Sequence, residues 1–452
     1  MLSSRHGRCW GWAVGAILLI ASVCQAAETY EFRSQAKPGT TAHVDLLLEV
    51  GGDLKLTEKG NVRALPMSVV AKMQYDERLA ELSADGATSM RLYSTAEATI
   101  KLDKGKALKP KLRTDRKAVA VRFAEKHATL VSPAGPLSRD ELELIDIPGN
   151  TLLVERLLPV EPVAEGQTWT HSEAVMTALL GLDAISQNDV TSVLKEVDAH
   201  AARFEMSGTV LGAIDGISAT LQLKGRYKFD RHEGRITWFA ILIEEKRSIG
   251  HVAPGADVVA RLQMTIAPTK GPAELAEADV SQLNEAFNPS NEVLEHATID
   301  GRFRFFYDRR WHIMDETPEA VALRMVDRGD LVAQCNVSLL ASVEPQRLPT
   351  LAQFQDDIRK SLDKHFTRFL KATEGTTADG YTVYRTVVEG TASDLPIVWN
   401  YYHVADAHGQ HAVFAFTLEQ DMSERFASVD QAMIGSAQFE SNTAAARRAV
   451  RR

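Results

Sequence analysis

Apolar and polar residues alternate through most of residues 29–270, which is the period of strands with one face buried. Val44-Asp45-Leu46-Leu47-Leu48-Glu49-Val50 runs into Gly51-Gly52. A two-glycine turn there, leading to Leu54-Lys55-Leu56, predicts a hairpin. Met67 to Met73 and Met90 to Leu92 continue the strand pattern. Pro133-Ala134-Gly135-Pro136 predicts a loop, and Ser138 with Glu141 fits a capping box that opens a short helix. From about Thr151 a second subregion begins. Pro159 and Pro162 precede a turn into Trp169, and Ser172 to Leu180 reads as a helix capped by Ser172 and closed by Gly181. A meander follows, with strands around Ala202–Met206, Ser218–Phe229 and Arg235–Glu244. Ile236, Trp238, Ala240 and Leu242 are expected to share one face of its last strand. Long antiparallel neighbours with tight turns predict a curved sheet with one apolar face and a few short helices.

The pattern changes at Gly271-Pro272. Residues 271–298 are Ala- and Glu-rich with helical spacing, as expected of a connector between domains. Residues 299–440 form a second unit. Arg302 to Tyr307 is a strand followed by Trp311. Val321–Val326 and Leu331–Val343 flank Asp327-Arg328-Gly329-Asp330 as a hairpin. Thr350 and Gln353 fit a capping box. Leu351, Phe354, Ile358, Leu362, His365 and Phe369 then follow at helical spacing up to Gly375. Strands Tyr381–Glu389, Ile397–Val404 and Ala412–Leu418 come next, the last two joined by a turn at Asp406–Gly409. A short helix capped by Ser423, with Phe426, Val429 and Met433 inward, closes at Gly435 before the extended piece Ser436–Phe439. A basic tail spans residues 441–452.

In order and kind, Phe303–Trp311, Thr350–Gly375, Tyr381–Leu418 and Ser423–Phe439 resemble the fold shared by the Mog1, PsbP and DcrB families. The resemblance covers about a third of the chain and rests on pattern, so no functional residue carries over. It implies an α+β unit whose antiparallel sheet bears a long helix on one face, in a fold whose members mostly bind partners without catalysis. Residues 27–270 resemble, in architecture alone, the half-barrels of secreted lipoprotein carriers.

The first residues add a destination. Arg5, His6 and Arg8 precede an apolar run from Trp10 to Val23, and Cys24-Gln25-Ala26-Ala27 follows. That order predicts a signal peptide over residues 1–26, cleavage near Ala26, and a periplasmic or secreted protein. Cys24 as a lipidation site lacks the usual small box, because Val23 stands beside it, so ordinary cleavage is the expectation. The apolar run is short for a membrane span of about 20 residues, and no later run approaches one. The formal net charge of −9 argues against a nucleic-acid partner.

Candidate chemistry is sparse. His403, His408 and His411 cluster around one hairpin and could share a metal, but polar side chains on a surface hairpin explain them without a third ligand. Asp140, Glu141, Glu143 and Asp146 read as an acidic helix start rather than a calcium loop. Cys335 lies in an apolar alternation and reads as a small buried side chain. No nucleophile elbow or phosphate loop is present, and the expectation is no cofactor, no metal and no catalytic residue. Trp399, Tyr401 and His403 share a strand face and form the candidate partner-binding surface. The expected function is an exported, soluble, non-catalytic binding protein of the cell envelope, with a protein or apolar ligand as partner. The alternatives are a carrier of an apolar ligand in the N-terminal half-barrel and a hydrolase with an unrecognised site.

Overall fold

A computed structural model describes residues 28–440 apart from residues 59, 84–85 and 277–279. The expected signal peptide and basic tail lie outside the described residues. The chain folds mainly into antiparallel sheets. The larger has twelve strands. From one edge these are His127–Val131, Ala118–Ala124, Gly86–Leu102, Asn61–Leu82, Thr41–Glu58, Gly255–Pro268, Arg235–Arg247, Ile217–Asp230, Ala201–Ile214, Thr191–Val197 and Thr168–Thr170. Ala184–Asn188 also pairs with Ala201–Ile214. Gly255–Pro268 lies along Thr41–Glu58, so segments before and after residue 150 share one sheet.

Side-chain alternation decides the faces. Ala42, Val44 and Leu46 point inward with Ala71, Met73 and Tyr75 of the next strand, and all are buried. Three short helices cover this inner face, Arg139–Ile145, Thr151–Val154 and Glu173–Leu180. The first begins at the Ser138/Glu141 capping box and the third runs from Ser172 to a left-handed Gly181, both as the pattern predicts. On the outer face, Leu275, Leu283 and Ala286 of the connector helices pack on Ala80, Met90, Ala120 and Val131.

Two expectations for this sheet need correction. There is no hairpin at Gly51-Gly52: Thr41–Glu58 continues through both glycines, and the turn comes where Glu58 pairs with Asn61. Gly52 instead permits close approach of the neighbouring strand, since a Cβ there would collide with the Asp257 carbonyl. In the strand Arg235–Arg247 a bulge opposite Lys228/Phe229 shifts the register. The buried set is therefore Ile236, Phe239, Ile241 and Ile243, while Trp238, Ala240 and Leu242 take the other face.

The second sheet has seven strands in the order Trp311–Glu316, Ala320–Asp327, Asp330–Leu339, His411–Glu419, Leu395–Ala405, Thr382–Ala392 and Phe366–Thr376. The helix Leu351–Leu362, opened by the Thr350/Gln353 capping box, lays Phe354, Ile358 and Leu362 on one face against Val388, Ile397 and Trp399. The helix ends there, not at Gly375. Asp363 takes a φ of 45°, and Phe366–Thr376 continues as the edge strand. Two bulges in that strand explain the misleading three-residue spacing. They leave Phe366 and Phe369 together, with ring centroids 4.8 Å apart under the Arg359 guanidinium. The final helical stretch is also split, into Ser423–Phe426 and Val429–Gly435, and Ser423 makes no side-chain cap. Phe303–Tyr307 pairs with Leu294–Ala297 and Gln438–Phe439 in a small third sheet.

Candidate functional site

The strand Leu395–Ala405 carries the residues expected to meet a partner. Ile397, Trp399, Tyr401 and His403 do alternate onto one face. That face lies beneath the helix Leu351–Leu362, so Trp399 and His403 are buried and Tyr401 half-buried. The exposure expected of these rings is not found, because alternation defines a face and not what covers it.

His403 stacks on Tyr384 with ring centroids 5.7 Å apart and stands as close to Phe354. Its Nε2 is 2.9 Å from Nδ1 of His411, whose Nε2 is 3.0 Å from the Ala341 carbonyl oxygen. A carbonyl can only accept, so His411 carries a proton on Nε2, and its Nδ1 is the atom that meets His403 Nε2. Burial, with His411 beside it, pushes the His403 imidazole down to about 4, which keeps that ring neutral. His408 lies apart in the turn, its backbone N–H donating to Asp406. Among the described residues no group of three or more His, Cys, Asp or Glu side chains is placed to hold a metal ion.

The opposite face carries a polar cluster that the sequence pattern missed. Asp430, fully buried on Val429–Gly435, accepts hydrogen bonds from Asn400 Nδ2 (2.9 Å) and the Tyr402 hydroxyl (2.6 Å). Arg385 approaches the same carboxylate oxygen at 3.5 Å. The cluster pins the last helix to the sheet. Cys335 is fully buried, and burial, with Asp430 near, pushes its thiol well above the ordinary range, so no thiolate is offered.

Of the acidic group near residue 140, Glu141 turns inward. Its carboxylate receives Arg113 Nε at 2.7 Å and the Ser138 backbone N–H at 2.9 Å. Glu143 sits 3.8 Å from Arg139, and burial raises the Asp146 carboxyl.

Inside the large sheet a second polar group is fully buried. Arg91 Nε and the Ser89 hydroxyl both donate to Glu77 Oε1 at 2.8 Å, and the Thr151 hydroxyl donates to Oε2 at 2.5 Å. Arg91 also donates to Asn150 Oδ1 at 2.6 Å. Burial pushes the Glu77 carboxyl up, but Arg91 and these hydrogen bonds outweigh it and hold the group below its usual value. Every strong acceptor is matched, so the cluster latches the helix Thr151–Val154 onto the sheet.

Beyond the helices the inner face continues without them. Cross-strand pairs there are Val50 with Val69, Gly52 with Met67, and Leu54 with Leu65. The next strand sets Ile100 beside Val69 and Leu102 beside Met67. Val50, Leu54, Leu65, Met67, Val69 and Ile100 are half-buried, while Leu56 and Leu102 are exposed. The result is an apolar strip across three strands that no helix of the described residues covers. The alternation was legible in the sequence; the absence of a cover was not.

No family model matches the chain, and no curated protein matches it. Among solved structures it is similar, over part of its length, to proteins of the PsbP and Mog1 kind. The cyanobacterial PsbP of Synechocystis sp. PCC 6803 is 12% identical over 33% of this chain and 93% of that one, with a TM-score of 0.27. The Ran-binding protein Mog1p of Saccharomyces cerevisiae is 12% identical over 35% and 90%, with a TM-score of 0.23. A lipovitellin is 10% identical over 54% of this chain and 27% of its own, with a TM-score of 0.31. At such scores these likenesses carry no argument about function.

Proposed function

We propose that the chain is an exported, non-catalytic binding protein of the cell envelope that carries an apolar ligand on the open part of its twelve-stranded sheet. We place its C-terminal unit with the Mog1/PsbP/DcrB kind of fold. One observation carries the ligand reading: inward-facing Val50, Leu54, Leu65, Met67, Val69 and Ile100 form an apolar strip where the covering helices stop. Soluble proteins seldom leave such a contiguous face uncovered unless something binds it. The polar clusters buried elsewhere are consumed in pairing helices to sheets, which supports binding over catalysis. Export is supported by the basic, apolar and small-residue order of residues 1–27. Among the described residues no helix is long and apolar enough to cross a membrane.

The test is binding of a fluorescent long-chain fatty acid to the purified protein. The probe should bind, and Leu54→Asp with Met67→Asp should weaken binding about tenfold or more, since a buried Leu or Met side chain is worth roughly 1.5–3 kcal/mol. Far-UV circular dichroism should be unchanged. Absence of probe binding, or equal binding by the variant, would overturn the carrier reading.

A further inference from the structure

The apolar strip ends at one rim of the large sheet, and that rim has its own chemistry. Residues 101–117 hold eight Lys and Arg against two Asp, in a chain whose formal net charge is −9. Two of the eight are engaged: Arg113 binds Glu141 and Glu295, and Arg116 binds Asp115. Lys101, Lys104, Lys106 and Lys109 are exposed, and none of them forms an ion pair among the described residues. They lie on the end of the strand Gly86–Leu102 and the loop after it. That loop is held to the tip hairpin by the Asp103 backbone N–H, which donates to the Pro66 carbonyl oxygen at 2.7 Å, and by Arg63 at 3.7 Å from Asp103. Between these lysines stand exposed apolar side chains, Leu102 at the strand end and Leu108 in the loop, which the Ile100–Leu108 bridge brings back beside the strand. The neighbouring tip adds Leu56 and Val62, the latter 66% exposed.

Uncompensated cations around protruding Leu and Val side chains, on an otherwise acidic protein, match one kind of surface. The lysines complement anionic headgroups, and the apolar tips reach the boundary between headgroups and acyl chains. We propose that this rim docks the protein on an anionic lipid bilayer, with Lys101, Lys104, Lys106 and Lys109 on the headgroups and Leu102 and Leu108 inserted between them. The acidic remainder of the molecule is repelled by the same surface, so the charge asymmetry also sets the orientation. The proposal stands apart from the cargo reading, because the rim can dock whether or not the strip is filled.

The test is co-sedimentation of the purified protein with vesicles of phosphatidylcholine, with and without phosphatidylglycerol. Binding should require the anionic lipid and should fade near 1 M salt, where the screening length shrinks to about 3 Å. Replacing the four lysines by Gln should weaken it by at least about tenfold, since each lysine at an anionic surface contributes roughly fivefold. Leu102→Ser with Leu108→Ser should also weaken it, and unlike the lysine variant should leave the salt dependence intact. All variants share the same N-terminus, so differences between them report the rim. Equal binding to neutral vesicles, no binding to either, or full binding by the lysine variant would overturn the proposal. Retained fatty-acid binding by the lysine variant would separate docking from cargo.

Discussion

At the scale of single residues, the buried histidine pair has a measurable consequence. His403 sits at about 4 against an ordinary 6.5 because its site is apolar and His411 adjoins it. Above pH 6.5 the imidazole is neutral in folded and unfolded chains alike, and the full contribution is present. As pH falls from there to about 4, the unfolded chain gains a proton that the folded chain refuses, so stability drops. Below about 4 the loss is complete, at roughly 3 kcal/mol for this gap. His403→Phe should therefore reduce the acid sensitivity seen in urea unfolding across this window. Some slope will remain, because burial also pushes His171 down to about 4. An identical slope in the variant would mean that His403 is not held neutral by its surroundings.

At the scale of elements, the helix Leu351–Leu362 shows how one amphipathic segment organises a sheet. Phe354 is 6% exposed against the seven-stranded sheet, whereas Asp357 is exposed and pairs with Lys360 at 3.7 Å. Truncating a buried Phe to Ala typically costs about 3–5 kcal/mol, while an exposed ion pair is worth about 0–1 kcal/mol. Phe354→Ala should lower the thermal midpoint sharply and Asp357→Ala should barely move it. Similar small effects from both would mean that the helix does not cover the Trp399 face. The following strand, Phe366–Thr376, is an exposed sheet edge blunted by two bulges and by Arg368 and Lys371, as expected of an edge protected from pairing with other chains.

At the scale of the whole molecule, the two large sheets share one apolar cluster that runs from Val44, Leu46 and Leu262 through Leu137 and Leu294 to Phe305, Trp311 and Phe414. Polar contacts reinforce the junction. Arg113 bridges Glu141 and Glu295 at 2.7 Å each, and Arg139 donates to the carbonyl oxygens of Arg309 and Trp311 at 2.6 Å. Two hairpin turns also meet: a Cβ at Gly216 would collide with the Gly329 backbone. The expected outcome is a single cooperative unfolding transition of the full chain. Arg113→Ala should lower its midpoint, because it leaves the buried Glu141 carboxylate, and a close contact of the buried Glu295, without the Arg113 charge. Residues 299–440 as a self-folding domain is a proposal that scanning calorimetry of the full chain reaches as well: two resolved transitions would favour independent units and count against a joint core.

What the sequence by itself determined was local. Ser138, Ser172 and Thr350 start helices because their side chains satisfy the first free N–H groups, whatever lies beyond. Alternation placed Trp399, Tyr401 and His403 on a common face for the same local reason. Tertiary structure decided what depended on a neighbour. Pairing with Thr382–Ala392 turned the helical spacing of Phe366 and Phe369 into a bulged strand. A bulge against Ile217–Asp230 moved Trp238 off the buried face. The glycines at 51 and 52, a turn by composition, lie inside a continuous strand, and Gly52 became the place where the strand Gly255–Pro268 comes close. Covering decided the sites as well: the helix Leu351–Leu362 closed the aromatic face, while the helices of the large sheet stopped short and left Leu54, Leu65 and Met67 half-open. A side chain's direction follows from its own backbone, but its burial and pairing follow from segments far away in the chain, and those the local pattern does not encode.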